Sequence, residues 1–441
     1  MSQCPLTRGL ACNMAVSGKD LQTNVLASGI PCLDLIVYLE PILRPLATTG
    51  MWSSSVFSNN VLKVVAMTAG LSLFGMFLVQ LLAEVVGTPL LLAANGDIDR
   101  LIHDMSVLGI HLDTFWKWLF MLTQRRRFIQ LLRQMESCMC LGVLACPTDR
   151  LALQDGYLQG QGIQRWAVPT KLYEVLERTR FRYWMVTVVW SVLCVLGASH
   201  WYFVPLLKGD DSLRYDAWYP FDSHQPTIKK MVYWMQYACS MYSVMILCFF
   251  DCLLVWLQQL LCVQLRYLAG NLRELSRSGG AFSVDRRQTL AVCISHHEHI
   301  LRVMRELNAF VAPLLFLQCF KNMMILCLVA FLASMAGASD LLELSGLMLY
   351  FMAACQQLFF YCWCCEELTY LGVEVGDAAY DSGWEYWDVP SQKSIVIIIW
   401  RSQKAFIFKG GWFYALNVAT FVDLIKLSFS YYTVLRSMRE E

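Results

Sequence analysis

The chain has 441 residues, of which 57% are apolar and 16% charged, and its formal net charge is +1. A soluble domain carries about a quarter charged residues, so this composition points to a polytopic membrane protein. A near-zero charge with no block of like charges leaves no electrostatic footprint for nucleic acid, and nucleic-acid binding is set aside.

Met1 to Thr23 is polar, with no basic start followed by an apolar run. No cleaved signal peptide is expected, and the first membrane helix serves as the signal. Residues 1–61 are expected to form a cytosolic N-terminus. Within it, Pro31, Pro41 and Pro45 break segment 31–49, which Asp34, Glu40 and Arg44 also interrupt. That segment either dips into the membrane or lies on it. Seven stretches approach the roughly 20 apolar residues that a spanning helix needs: 62–87, 100–123, 181–205, 230–256, 309–335, 341–367 and 410–435. The predicted fold is therefore all-α with seven transmembrane helices. Spans one to four occupy 62–265 around a cytosolic loop at 124–180, a cytosolic helical extension follows at 266–308, and spans five and six occupy 309–367. A cytosolic anchor segment covers 368–409, and the last span with a short tail covers 410–441.

Basic residues set the orientation. They crowd the segments after spans two, four and six, as in Arg125-Arg126-Arg127, Arg266, Arg273, Arg277 and Lys393, while the alternate segments carry few, among them Lys208, Arg214, Arg436 and Arg439. The positive-inside rule places the N-terminus in the cytosol, and seven crossings leave the C-terminus outside. This is the reverse of a G-protein-coupled receptor. On the cytosolic side, 257–308 continues the fourth helix, turns at Ser278-Gly279-Gly280 and returns as an amphipathic helix. Ser394 to Trp400 is an apolar stretch too short to span a membrane. The simplest partner for it is the same segment of neighbouring subunits, which predicts oligomerisation on the cytosolic side.

Most of the 18 cysteines lie inside apolar runs and read as reduced packing thiols, and the Cys362, Cys364, Cys365 cluster lacks the paired spacing of a zinc site. His296-His297-Glu298-His299 places two histidines on one helical face but offers no second ligand pair, so it reads as an interfacial helix with no metal. Asp113 and Lys117, four apart, can satisfy each other within one helix. Asp423 and Lys426, three apart, either pair likewise or face a hydrated vestibule. Lys321 has no evident partner, and Asp251 reads as an anchor of a helix contact.

Several elements, in order along the chain, resemble the insect odorant receptor family. They are Trp218-Tyr219-Pro220-Phe221-Asp222; the spacing Leu290, Cys293, Ile294, His297, Ile300, Leu301; Ala378 to Trp384; and Lys426-Leu427-Ser428-Phe429-Ser430-Tyr431 followed by Val434-Leu435. The resemblance implies a tetrameric, ligand-gated, non-selective cation channel in the plasma membrane of sensory neuron dendrites. In it a tuning subunit assembles with a shared co-receptor, the last helix of each subunit lines the pore, and the cytosolic helix ends form an anchor. The co-receptor has a long insertion between spans four and five, for which 266–308 leaves no room, so the chain resembles a tuning subunit.

By resemblance, the constriction falls at Val434, with Ser430, Ser437 and Met438 near it on the same helix. An apolar ring there would close the pore by dewetting. The ligand pocket, for small volatile organic molecules, would lie in the outer halves of spans two to six. It would involve Val107, Ile110, His111, Gly197, Trp201, Tyr237, Met241, Tyr242, Met324, Phe331, Leu349 and Tyr350. Aromatics there supply flat contact area and methionines adapt their shape. Membrane lipid is the other partner, and no cofactor is expected. A G-protein-coupled chemoreceptor is the alternative reading. A transporter would show repeated halves, and none is visible. An enzyme would show a nucleophile, base and orienter cluster, and none emerges.

Overall fold

The computed structural model describes residues 35–49, 51, 60–95, 98–145, 170–209, 212–215, 217–223, 225–277, 284–335, 341–411 and 414–440. Helices dominate: α1 (Leu35–Thr48), α2 (Asn60–Asn95), α3 (Ile98–Ala145), α4 (Thr170–Leu207), α5 (Pro226–Arg277), α6 (Val284–Met335), α7 (Leu341–Tyr380), α8 (Val389–Gln403) and α9 (Val418–Glu440). A 3-10 turn at Trp384–Tyr386 precedes α8, and a two-stranded antiparallel hairpin, β1 (Lys409–Gly410) and β2 (Tyr414–Ala415), precedes α9.

Five of these helices are long and apolar enough to cross a membrane, over Lys63–Pro89, Val175–Leu207, Pro226–Ser276, Arg286–Ser334 and Leu344–Tyr380. The expected second and seventh spans fall in α3 and α9, where Asp113 and Lys117, and Asp423 and Lys426, interrupt the apolar runs. The stretch Arg286–Ser334 has 49 residues, about 73 Å at 1.5 Å per residue. A hydrocarbon core is about 30 Å thick, so the His- and Arg-rich first half of α6 must project beyond it. The same arithmetic applies to α5, with 52 residues. The two helices pack on each other and on α3 and α7 around a shared core that includes Leu257, Leu261, Leu268, Val303, Leu307 and Leu368, all fully or nearly fully buried.

Pro41 and Pro45 do not break segment 31–49 where it is described: α1 runs through both. Leu39, Ile42, Leu43 and Leu46 recur at helical spacing and are almost completely buried, and packing of that stripe on α5 outweighs the lost backbone bonds. The carbonyl of Thr49, just past α1, accepts a 2.8 Å bond from the Tyr242 hydroxyl on α5.

The start of α9 is pinned from two sides. The Gly411 N–H donates to the Ala312 carbonyl of α6 at 2.8 Å, and the Lys409 N–H donates to Asn308 Oδ1 at 2.9 Å. Gly411 has φ 64°, and a Cβ there would come within 3.1 Å of the Phe316 ring, so both the turn and the close approach require glycine. Glu366 Oε2 on α7 accepts the Val418 N–H at 2.9 Å, and Asn417 Oδ1 accepts the Thr420 N–H at 2.7 Å as an N-cap. The hairpin is thus anchored on α6 and the first turn of α9 on α7.

Among the described residues, 13 cysteines are free and most of them buried, including Cys362, Cys364 and Cys365. Cys140 departs from the expectation of reduced thiols, being disulfide-bonded.

Candidate functional site

Two polar constellations lie inside the apolar bundle. The first joins α2, α3, α5 and the 212–225 connection. Glu84 of α2 accepts a bond from Gln80 Nε2 at 3.1 Å, and its Oε2 lies 2.8 Å from His111 Nδ1 of α3. The Tyr219 hydroxyl donates to Gln80 Oε1 at 3.0 Å, and Gln236 Nε2 of α5 donates to the Tyr215 carbonyl at 3.0 Å. The Trp218 N–H donates to the Ala83 carbonyl at 2.9 Å, and a Cβ at Gly87 would stand 2.7 Å from that same nitrogen. Glycine at 87 thus lets the connection lie directly on α2. Tyr215 then closes edge-on over His111, with ring centroids 5.8 Å apart.

The second constellation is ionic and links α3, α5, α6 and α7. Lys117 Nζ lies 2.6 Å from Asp251 Oδ1 and 3.5 Å from Asp113 Oδ2, while Lys321 Nζ lies 2.5 Å from Asp113 Oδ2. Asp251 also accepts bonds from Gln357 Nε2 and, at 2.5 Å, from the Tyr361 hydroxyl. Gln318 Nε2 of α6 continues the chain to Gln357 Oε1 at 2.7 Å. Two acids and two bases balance, as a charged cluster inside a bilayer requires. The expectation that Asp113 and Lys117 satisfy each other within one helix is therefore too small, and the reading of Lys321 as partnerless is corrected: Asp113 is its partner. A sequence does not reveal which faces of α3 and α6 meet. Nothing in the sequence reading singles out Gln318 and Gln357; amides inside apolar runs are the signal that points to them.

The expected pocket residues are spread through the upper bundle. His111 and Tyr242 are buried and come together on the Phe77 ring, at 5.7 and 5.6 Å, but both are engaged, with Glu84 and with the Thr49 carbonyl. Tyr237 is the hub of a ring cluster, 5.1 Å from Tyr202, 5.5 Å from Phe203 and 5.8 Å from Trp234. Val107, Ile110, Trp201, Met241, Leu349 and Tyr350 are half-buried, Phe331 is buried and Met324 is exposed. The Tyr350 hydroxyl is buried without a hydrogen-bond partner among the described residues, and a Cβ at half-buried Gly197 would meet none of them within 4 Å. Nearby, His200 Nε2 bonds Ser345 Oγ at 2.8 Å, joining α4 to α7.

On α9, Leu424 and Ser428 are buried against the bundle, whereas Phe429, Ser430, Tyr431, Val434 and Ser437 are exposed. The Ser437 hydroxyl bonds back to the Val434 carbonyl at 2.9 Å. Only the helical backbone of Met438 lies among the described positions. Asp423 and Lys426 are exposed, and no ion pair joins them.

In the extension of α6, His296 Nε2 lies 3.0 Å from Gln264 Oε1 and His299 Nε2 lies 3.2 Å from the Gln134 carbonyl, so the two turn to different partners. Among the described residues, no group of three or more His, Cys, Asp or Glu side chains is placed to hold a metal. Glu367 of α7 accepts bonds from Tyr183 and Gln259, each at 3.1 Å, and pairs with Arg266, tying α4, α5 and α7 together.

Residues 156–429 match the family described as 7tm odorant receptor. Odorant receptor Or2 of Anopheles gambiae is 26% identical over 219 residues, 48% of this chain and 56% of that protein. Odorant receptor 83a of Drosophila melanogaster is 23% identical, covering 58% of this chain and 66% of its own length. The chain thus spans just over half and just under two thirds of these two relatives. Putative odorant receptor 85d of Drosophila melanogaster is 21% identical over 81% of this chain and 83% of its own. The olfactory receptor OR5 of Machilis hrabei, solved alone and in complex with eugenol, superposes with a TM-score of 0.73 in both structures, at 17% and 16% identity. Each superposition covers 91% of this chain and 98% of that one, and so shows a shared fold. The family match extends over more than half of the residues, and the chain belongs to the insect 7tm odorant receptor family.

Proposed function

We propose that this chain is the odorant-recognising subunit of a heterotetrameric, odorant-gated, non-selective cation channel, built with a co-receptor in the plasma membrane of sensory dendrites. The observation that carries the proposal is the half-covered state of α9. Its 23 residues reach about 35 Å, enough to cross the hydrocarbon, yet only one side packs on the chain's own bundle. The uncovered side presents Ser430, Val434 and Ser437, small and hydroxyl-bearing groups suited to a water-filled axis shared with other subunits.

In this reading α3 and α9 cross the membrane together with the five apolar helices. The N-terminus then lies inside and the C-terminus outside, as the distribution of Arg and Lys supports. The exposed face of α8, where Ile397 is 62% and Trp400 73% exposed, meets neighbouring subunits on the cytosolic side. Volatile ligands enter among α3 to α7, where Val107, Ile110, Gly197, Trp201, Tyr237, Met241, Phe331, Leu349 and Tyr350 supply an apolar and aromatic wall. The likeness to a receptor solved with eugenol supports a small organic ligand. A ligand that binds better when α6 and α7 have moved favours opening through the hairpin and cap that hold α9.

Recording currents from cells that express this chain alone, the co-receptor alone and both, with G-protein signalling blocked, tests the proposal. An odorant-evoked cation current that requires both, or whose odorant profile changes with this chain, supports it. A G-protein-dependent response without the co-receptor contradicts it.

A further inference from the structure

The ring cluster around Tyr237 continues onto the surface of the bundle. Phe203 and Trp234 pack at 6.3 Å and are 41% and 51% exposed. Exposed aromatic rings near the end of a spanning helix mark the depth of the membrane-water interface. Just toward the α5 N-terminus from Trp234, a groove is lined by Pro226, Thr227, Lys230, Met231 and Trp234. Residues 227, 230, 231 and 234 follow the spacing of one helical face, so a single side of the first two turns makes a wall with a polar upper rim and an apolar floor. Lys230 is exposed and forms no ion pair among the described residues. Met231, beside it, is 69% exposed. A soluble-anion site would have no use for an apolar floor opening onto the surface that carries Phe203 and Trp234. A lipid has both an anionic head and an apolar body.

We propose that this groove binds the headgroup phosphodiester of a membrane phospholipid. The Lys230 ammonium and the Thr227 hydroxyl hold the phosphate, and Met231 and Trp234 pack against the glycerol and the first acyl methylenes. A lysine at this depth, one turn outside an aromatic belt, meets the phosphate layer without burying its charge. Because Trp234 meets Tyr237 edge-on, with ring centroids 5.8 Å apart, the bound lipid rests against the aromatic wall assigned above to the odorant. Phosphate recognition itself does not depend on that assignment or on which leaflet the groove faces.

Native mass spectrometry of the purified full-length chain, titrated in detergent with dioleoylphosphatidylglycerol or with dioleoylglycerol, tests the proposal. The chain is expected to retain the phospholipid in preference to the phosphate-free lipid. Lys230→Gln is expected to weaken retention about five-fold, and Lys230→Arg to preserve it. Size-exclusion profiles matching the wild type will exclude misfolding. Equal retention of dioleoylglycerol, or unchanged retention by Lys230→Gln, would overturn the proposal. So would displacement of the lipid by glycerol 3-phosphate at equal concentration, which would mark a soluble-anion site.

Discussion

Lys321 of α6 and Asp113 of α3 meet at 2.5 Å in the middle of the bundle, and Asp113 in turn lies 3.5 Å from Lys117, which is held by Asp251 of α5. Removing one member of a buried pair leaves an uncompensated charge and typically costs about 3–5 kcal/mol, whereas removing both partners is often near neutral. Lys321→Met or Asp113→Asn alone is therefore expected to lower the thermal midpoint of the purified protein sharply. The double variant, which leaves Lys117 and Asp251 balanced, is expected to recover most of the loss. Additive losses in the double variant would show that the ionic cluster does not act as a unit.

Tyr242 distinguishes a structural from a ligand-binding role. Its hydroxyl bonds the Thr49 carbonyl at 2.8 Å, so Tyr242→Phe should cost about 1 kcal/mol of stability and leave the rank order of odorants unchanged. A dose-response panel that reshuffles the odorants without a change in melting temperature would return Tyr242 to the pocket.

The extension of α6 beyond the membrane carries the acid sensitivity. Burial, and then the neighbouring His299 and His297, push His296 down to about 3. Burial, and then Arg401, push His297 down to about 4. Unfolded, both titrate near 6.5. Between these values the unfolded chain binds protons that the folded chain does not, so the stability these groups permit is intact above about pH 6.5 and falls as pH drops toward about 4. Thermal midpoints across this range should decline on acidification, and His297→Gln should flatten part of the decline. A flat profile for the wild type would contradict the buried, neutral state of these rings.

The helices were legible because apolar runs of spanning length are a one-dimensional signal, and the closing stretch from Lys426 to Leu435 carried the family likeness. The continuation of α5 and α6 past spanning length is legible too, in the helix-like stretches on either side of Ser278-Gly279-Gly280. What a single sequence hides is which faces meet. Lys321 finds Asp113 only because α6 packs against α3. His111 finds Glu84 only because α2 lies beside α3, and Glu84 itself went unremarked inside its apolar run. The helix through Pro41 and Pro45 is hidden for a related reason: two prolines argue locally against it, and the burial of Leu39, Ile42, Leu43 and Leu46 that overrides them is tertiary. The resemblance places the pocket in the outer halves of the spans, and depth along a helix separates outer from inner residues but not ligand contacts from packing contacts.

Val434 is 53% exposed on the uncovered side of α9. If that side lines the conduction path, a polar residue there should hydrate the constriction. Val434→Ser, co-expressed with the co-receptor, is expected to raise the current without odorant. A resting current equal to wild type, at equal surface expression, would remove Val434 from the gate.

The most direct measurement is external application of a charged thiol reagent to channels carrying Val434→Cys during a steady odorant response, with the wild-type chain as control. The account predicts an irreversible change in the odorant-evoked current of the variant, faster when the channel is open, and none in the wild type. An unchanged current through channels shown to contain the variant at the surface would contradict the claim that this chain contributes its last helix to an odorant-gated pore.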